Sequence, residues 1–371
     1  MLAAWTSTLF AASFRRTPAP DFRCSDATRT PFRSVPVPTV LRTVFLLAAA
    51  LAGSDSARAA DPAPQTADFV IKGHTNSVQA IAYSPDGLLI ATAGDDKTIR
   101  VWNATDGERQ NRLSHAHAVC ALAFTRDGKT ILAGDKAGAV TYWDVATGEK
   151  RKSVEIGRQA VGFVTASPDG KSFAAITVGE YGATIRDVET GELRVTIKGH
   201  DLAMNALAFS PDGEKIATVG DNATVRVWSA ADGKSLDELK AHDGYVHSVA
   251  FSPDGMRLAT GGADKTVIVW DIKTGNVVKP VLEGHTGKVA FLAFLADGRL
   301  LSRAGTGETF AWKHPKGKPE VLARGSTSGL LVAGYYYPTD VAVSPDGRTL
   351  AFGRDKDVVL RPLSGTVKDA K

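Results

Sequence analysis

Cysteine is almost absent from this chain: Cys24 and Cys120 are the two in 371 residues. No paired CxxC and no CxxCH occurs, which excludes a thiolate metal site and covalent haem attachment. With Cys24 in the N-terminal arm, Cys120 has no partner for an intramolecular disulfide. It stands in an apolar strand pattern, so it reads as a small buried hydrophobe rather than a reactive thiol. Charge of one sign is lacking as well. Setting aside the seven Arg and three Asp of residues 1–59 leaves 37 basic and 37 acidic residues in 60–371. A neutral domain lacks the basic surface that nucleic acid requires, so no nucleic-acid partner is expected. The 36 glycines fall mostly in recurring turns, and no GxGxxG or GxxxxGK[ST] phosphate cradle remains.

Long apolar runs are missing too. The run from Val44 to Ala52 is too short to cross a bilayer. It follows Arg42 and precedes Ala57-Arg58-Ala59, the order of an n-region, an h-region and a small-residue cleavage site. Residues 1–59 are therefore expected to be a removed secretory leader, cut near Ala59 or Ala60, with no membrane span afterwards and a periplasmic or extracellular destination. The n-region is over-long, which suggests that translation starts nearer Val40 or Leu41. A transit peptide or a tail with a chance apolar run is the alternative, and the protein would then be cytoplasmic.

What the chain has in abundance is one tetrapeptide. Ser84-Pro85-Asp86-Gly87 returns as Ser-Pro-Asp-Gly at 167, 210, 252 and 344, and in degenerate form as Thr125-Arg-Asp-Gly128 and Leu295-Ala-Asp-Gly298. The steps between copies are 41, 42, 43, 42, 43 and 49 residues. Pro presets φ at the second position, Asp bonds back to the backbone, and Gly takes the left-handed position, so each copy is a turn. Alternating apolar runs flank it, such as 78–83 and 88–93, and predict a hairpin. A period of 40 to 45 residues is that of a four-stranded propeller blade. The expected fold is all-β, a seven-bladed propeller of four-stranded antiparallel blades over 68–363, with a linker at 60–67 and a polar tail at 364–371. The seventh repeat has no outer strand, and 68–72 form a strand with no blade before them. The N-terminal strand should therefore close the ring, a monomeric one.

Gly73-His74 opens the first repeat, and Trp102 ends its third strand. Trp143-Asp144, Trp228-Ser229, Trp270-Asp271 and Trp312-Lys313 continue the series, while the third and seventh repeats end in Arg186-Asp187 and Leu360-Arg361. In this pattern the chain resembles the WD40-repeat family over 68–363. The resemblance implies a structural tetrad of His, Ser or Thr, Asp and Trp in each blade. It would be complete as His74, Thr92, Asp96, Trp102 and as His242, Thr260, Asp264, Trp270. The fourth blade has His200, Thr218 and Trp228 with Asn222 for the acid. The sixth has His285, Ser302 and Trp312 with Thr306 at the acid position. The second keeps His115 and Trp143 around Ala133 and Ala137. A His, a hydroxyl and an Asp in one repeat invite a hydrolase reading. Recurrence once per blade argues for a structural role instead.

Function should then sit on loops over one face. Aligned positions before the inner strands bring His117, Tyr245, Lys288 and the Tyr335-Tyr336-Tyr337 triplet to that rim, with Arg303 beside them; the triplet ends an insertion within 325–338 that accounts for the 49-residue step. Exposed Tyr and Arg suit a contact site. The reading is a non-enzymatic platform for another protein or peptide segment, with no cofactor and no metal. A glycan- or small-molecule-binding propeller is the alternative, and a propeller hydrolase the remote one.

Overall fold

The computed structural model describes residues 67–313, 318–323 and 340–363, all within the compact unit Asp61–Lys371. These residues form seven antiparallel sheets of four strands each. The first blade runs Val78–Tyr83, Leu89–Gly94, Thr98–Asn103 and Arg109–Ser114 from its inner to its outer strand. The inner strands of the second to seventh blades are Val119–Phe124, Val161–Ala166, Met204–Phe209, Val246–Phe251, Val289–Phe294 and Val341–Val343. Closure occurs as expected: Phe69–Ile71 pairs with Asp357–Pro362, matching Phe69 to Leu360 and Ile71 to Val358. Arg361 then clasps Asp68 through two bonds of 2.8 and 2.6 Å.

The turns work by a side-chain exchange that the tetrapeptide alone only half reveals. The Ser84 hydroxyl donates to Asp86 and accepts the Leu89 N–H at 2.9 Å, while Gly87 takes φ 74°. Thr125 reproduces this with Asp127. Leu295 cannot, so the hydroxyl exchange is lost there; the backbone bond from Gly298 and the Arg299 N–H bond to Asp297 persist, and the Leu295 side chain is buried instead.

Seven apolar clusters hold the ring, each spanning one blade-to-blade interface. Ala91, Ala93, Ile99 and Val101 of the first blade meet Val119, Ile131 and Trp143 of the second. Ile71, Ile90 and Trp102 meet Ala351, Val358 and Leu360 across the closing seam. Each of the first six inner strands slips register after its first residue, as between Val78 and Ala80 and between Val246 and Ser248. The bulge carries one extra residue, a device that re-aims a side chain. Those residues include Gln79, Cys120, Asn205 and His247.

Candidate interaction face

The tetrads come first because they decide which polar groups are committed to the fold. In the first blade, the Trp102 indole donates to Thr92 Oγ1 at 2.8 Å, His74 Nε2 lies 2.8 Å from the same oxygen, and His74 Nδ1 lies 2.9 Å from Asp96 Oδ2. Because Thr92 accepts from the indole, its own proton goes to Nε2. Nδ1 then carries the imidazole hydrogen and donates it to Asp96. The histidine is neutral, and burial pushes its pKa down despite the carboxylate beside it. Burial would raise Asp96, but bonds from the Thr75 N–H, Thr98 and His74 outweigh it and hold the carboxyl below its ordinary range. The fifth blade repeats the chain with His242, Thr260, Asp264 and Trp270 at 2.8 to 2.9 Å.

The fourth blade uses Asn222 Oδ1, 3.0 Å from His200 Nδ1, and leaves Asn222 Nδ2 buried without a partner. Thr218 joins His200 and Trp228 at 2.8 and 2.7 Å. In the sixth, Ser302 joins His285 and Trp312 at 2.7 Å. Its acid is Glu308, not Thr306. The longer side chain, two residues further along the turn, reaches back to accept the Thr286 N–H at 2.8 Å and sits 3.6 Å from His285 Nδ1. In the second blade the nearest acid, Asp135, stays 3.9 Å from His115 Nδ1, which instead accepts the His117 N–H at 3.3 Å. There Ala133 supplies no hydroxyl, and both His115 Nε2 and Trp143 Nε1 are unpartnered.

One further expectation is corrected. Arg303 is not on the rim: it is 1% exposed, with Nη1 on the Gly307 carbonyl and Thr309, and its guanidinium 4.1 Å from the centroid of the Phe352 ring. Aligned positions hold Ala93, Gly134, Ile176, Val219 and Gly261, a column that signals burial between blades. Arg186, which stands where other blades have Trp, is half-buried and donates to the Gly191 carbonyl at 3.1 Å. Cys120 is half-buried, and burial pushes its thiol up to about 11, so it stays protonated. Tyr335, Tyr336 and Tyr337 lie outside the described residues.

The face carrying the His and Asp turns keeps His117 and Tyr245 exposed and Lys288 partly so. Tyr245 is 53% exposed, its ring meeting His247 edge-on at 6.5 Å. Two more apolar residues join Tyr245 on this face: Tyr181, which sequence reasoning missed, and Leu202, which holds the aligned position before the fourth inner strand. Tyr181, in the turn between the second and third strands of the third blade, is 56% exposed, and Leu202, entering the fourth, is 46% exposed. Three consecutive blades thus present a large apolar side chain to the same side. Other large exposed apolar residues fall elsewhere: Leu88 and Met256 on the opposite turns, Leu193 and Leu236 on outer strands. Beneath the face, polar side chains staple neighbouring blades together. Asn205 donates to Asp221 at 2.8 Å and to the Val246 carbonyl at 2.9 Å, and Lys136 meets Asp95 at 2.7 Å. A central cavity of about 180 Å³ is lined by the inner strands of all seven blades, through side chains such as Ile81, Leu122, Val164 and Val249.

Comparison with known proteins agrees with this geometry. The family described as "WD domain, G-beta repeat" matches residues 66–103, 107–144, 191–229 and 233–271. Each match joins the outer strand of one blade to three strands of the next, the same offset that closes the ring. The chain is 51% identical over 45 residues to the mouse "Periodic tryptophan protein 2 homolog", covering 12% of this chain and 5% of that one. It is 44% identical over 48 residues to "Ribosome biogenesis protein erb1" of Neosartorya fischeri (13% and 6%). It is 36% identical over 47 residues to "Lissencephaly-1 homolog 1" of Paramecium tetraurelia (13% and 12%). The chain thus spans about an eighth or less of these relatives, roughly one blade. The chain thus carries four WD40 repeats, set in seven four-stranded blades of which four show the His-hydroxyl-Trp bonding.

Proposed function

We propose that the chain is a non-catalytic platform that binds another protein through the face carrying Tyr181, Leu202 and Tyr245. WD40 propellers typically bind proteins, and the observation that supports this face is the apolar arc itself. The histidines and acids of the two complete tetrads are committed to internal hydrogen bonds, and the central cavity is walled largely by aliphatic side chains. Neither supplies the convergent polar groups that catalysis needs. Aromatic and aliphatic anchors on a rigid support lose little conformational entropy on binding, which is what a contact surface requires. The test is capture of a partner by the native protein and by the Leu202→Ser/Tyr245→Ala double variant. Loss of capture with an unchanged melting temperature supports the reading; equal capture removes it.

Export is part of the same proposal. It rests on Arg42, the apolar run to Ala52 and Ala57-Arg58-Ala59, and the eukaryotic relatives named above lend it nothing. N-terminal sequencing of protein from the native host decides it. A start near Ala60 or Asp61 is expected, whereas cytosolic protein that keeps the Arg-rich leader contradicts it.

A further inference from the structure

The third blade gives up its tetrad at every position, and most of the replacements are smaller. Register places Ala175 where the first blade has Thr92, Thr184 where it has Arg100, and Arg186 where it has Trp102. Gly179 falls at the place of Asp96 in the turn. In the first blade this face is full: a Cβ added to Gly73 would meet Arg100 Nη1 at 2.7 Å and Trp102 Cη2 at 2.8 Å. In the third, a cavity of about 510 Å³ opens, lined by Thr177, Glu180, Tyr181, Thr184, Thr196 and Lys198. Thr184 and Thr196 are direct cross-strand partners, so their hydroxyls form a row across the sheet. Thr184 Oγ1 is buried and has no hydrogen-bond partner. A buried hydroxyl without a partner is a standing cost that a fitted ligand would remove.

We propose that this cleft is a binding site for a neutral pyranose, free or at the end of a glycan. Its volume falls within the range of small-molecule sites. Glu180 and Lys198 offset each other, which disfavours a ligand carrying net charge. A sugar offers an apolar C–H face and an edge of hydroxyls. Tyr181 is an exposed aromatic surface for the first, and threonine hydroxyls both donate to and accept from the second. The site shares Tyr181 with the protein-binding face, but that reading does not depend on Thr184 or Thr196, and its own test alters only Leu202 and Tyr245.

Saturation-transfer difference NMR on the full chain tests it, with the methyl α-glycosides of glucose, galactose, mannose and N-acetylglucosamine at millimolar concentration. At least one should receive saturation. Thr184→Val, which keeps the side-chain shape, and the exposed Tyr181→Ala should each cut that signal about fivefold, the effect of one lost hydrogen bond or contact, with unchanged melting. Thr196→Val is a second exposed variant expected to act the same way. Tyr245→Ala should leave the signal intact. A reducing sugar that binds where its methyl glycoside does not points to a free sugar, and equal binding points to a chain end. No transfer to any of the four glycosides or to their reducing sugars, or transfer indifferent to Thr184→Val and Tyr181→Ala, overturns the proposal.

Discussion

Trp143 and Ala133 stand to each other as Trp102 stands to Thr92, yet no hydrogen bond joins them. The second blade therefore buries an indole N–H and an imidazole nitrogen that four other blades satisfy with one hydroxyl. Ala133→Ser should supply that hydroxyl, as Ser302 does in the sixth blade. A stabilisation of about 1 kcal/mol is expected, the net worth of satisfying a buried pair. Chemical denaturation of both proteins measures it. A loss of stability would mean that the second blade is packed around the alanine too tightly to admit an oxygen.

Burial of the histidines predicts a pH dependence. His285 titrates at about 4 in the folded protein and at roughly 6.5 in an unfolded chain. Between those values the unfolded chain holds the extra proton. The stabilisation is therefore complete above the unfolded pKa and is lost as pH falls toward the folded one. His285 contributes at most about 3 kcal/mol to this loss. His247 is likewise pushed down to about 4, and His74, His115 and His200 shift in the same direction, all chiefly by burial. The melting temperature should fall steadily between about pH 7 and pH 5, and less steeply in His285→Gln. A flat profile over that range contradicts neutral, buried histidines.

The closing seam makes a third prediction. Ile71 is 4% exposed and packs with Ile90, Trp102 and Val358. Removing residues 1–72 deletes Ile71, the half-buried Phe69 and Val70, and the Asp68 clasp on Arg361. The loss should be about 3–6 kcal/mol, from one buried and two half-buried apolar side chains. It should appear as one cooperative shift of the whole domain in calorimetry. A truncated protein that melts like the full one would mean that the seam does not close the ring energetically.

The fold was legible because its signal repeats. Seven turns in phase locate the hairpins, and the orphan strand at 68–72 locates the seam. Tetrads were legible wherever the donor and acceptor occupied their usual places. The acid was missed where a longer side chain approached the histidine from another position, as with Glu308 for Thr306. Reach is a three-dimensional property, and a column of residue types does not record it. Arg303 was misplaced by its charge, although Ala93, Val219 and Gly261 at the matching positions signal burial. The bulge that re-aims Gln79, Asn205 and His247 adds a residue without changing the period much, so it leaves no mark. Tyr181 is a single apolar residue in a turn, which sequence alone does not separate from core, whereas the repeat alignment puts Leu202 at the rim.

The central claim is that a partner protein docks on the face bearing Leu202 and Tyr245. The most direct measurement immobilises the full chain and the Leu202→Ser/Tyr245→Ala variant side by side, identifies the protein retained from the native host, and titrates that purified protein against both. The account predicts saturable one-to-one binding that weakens at least about 30-fold in the variant, the cost of two anchors at ~1 kcal/mol or more each, with the melting temperature unchanged. Equal affinity for the two proteins, both folded, would contradict it.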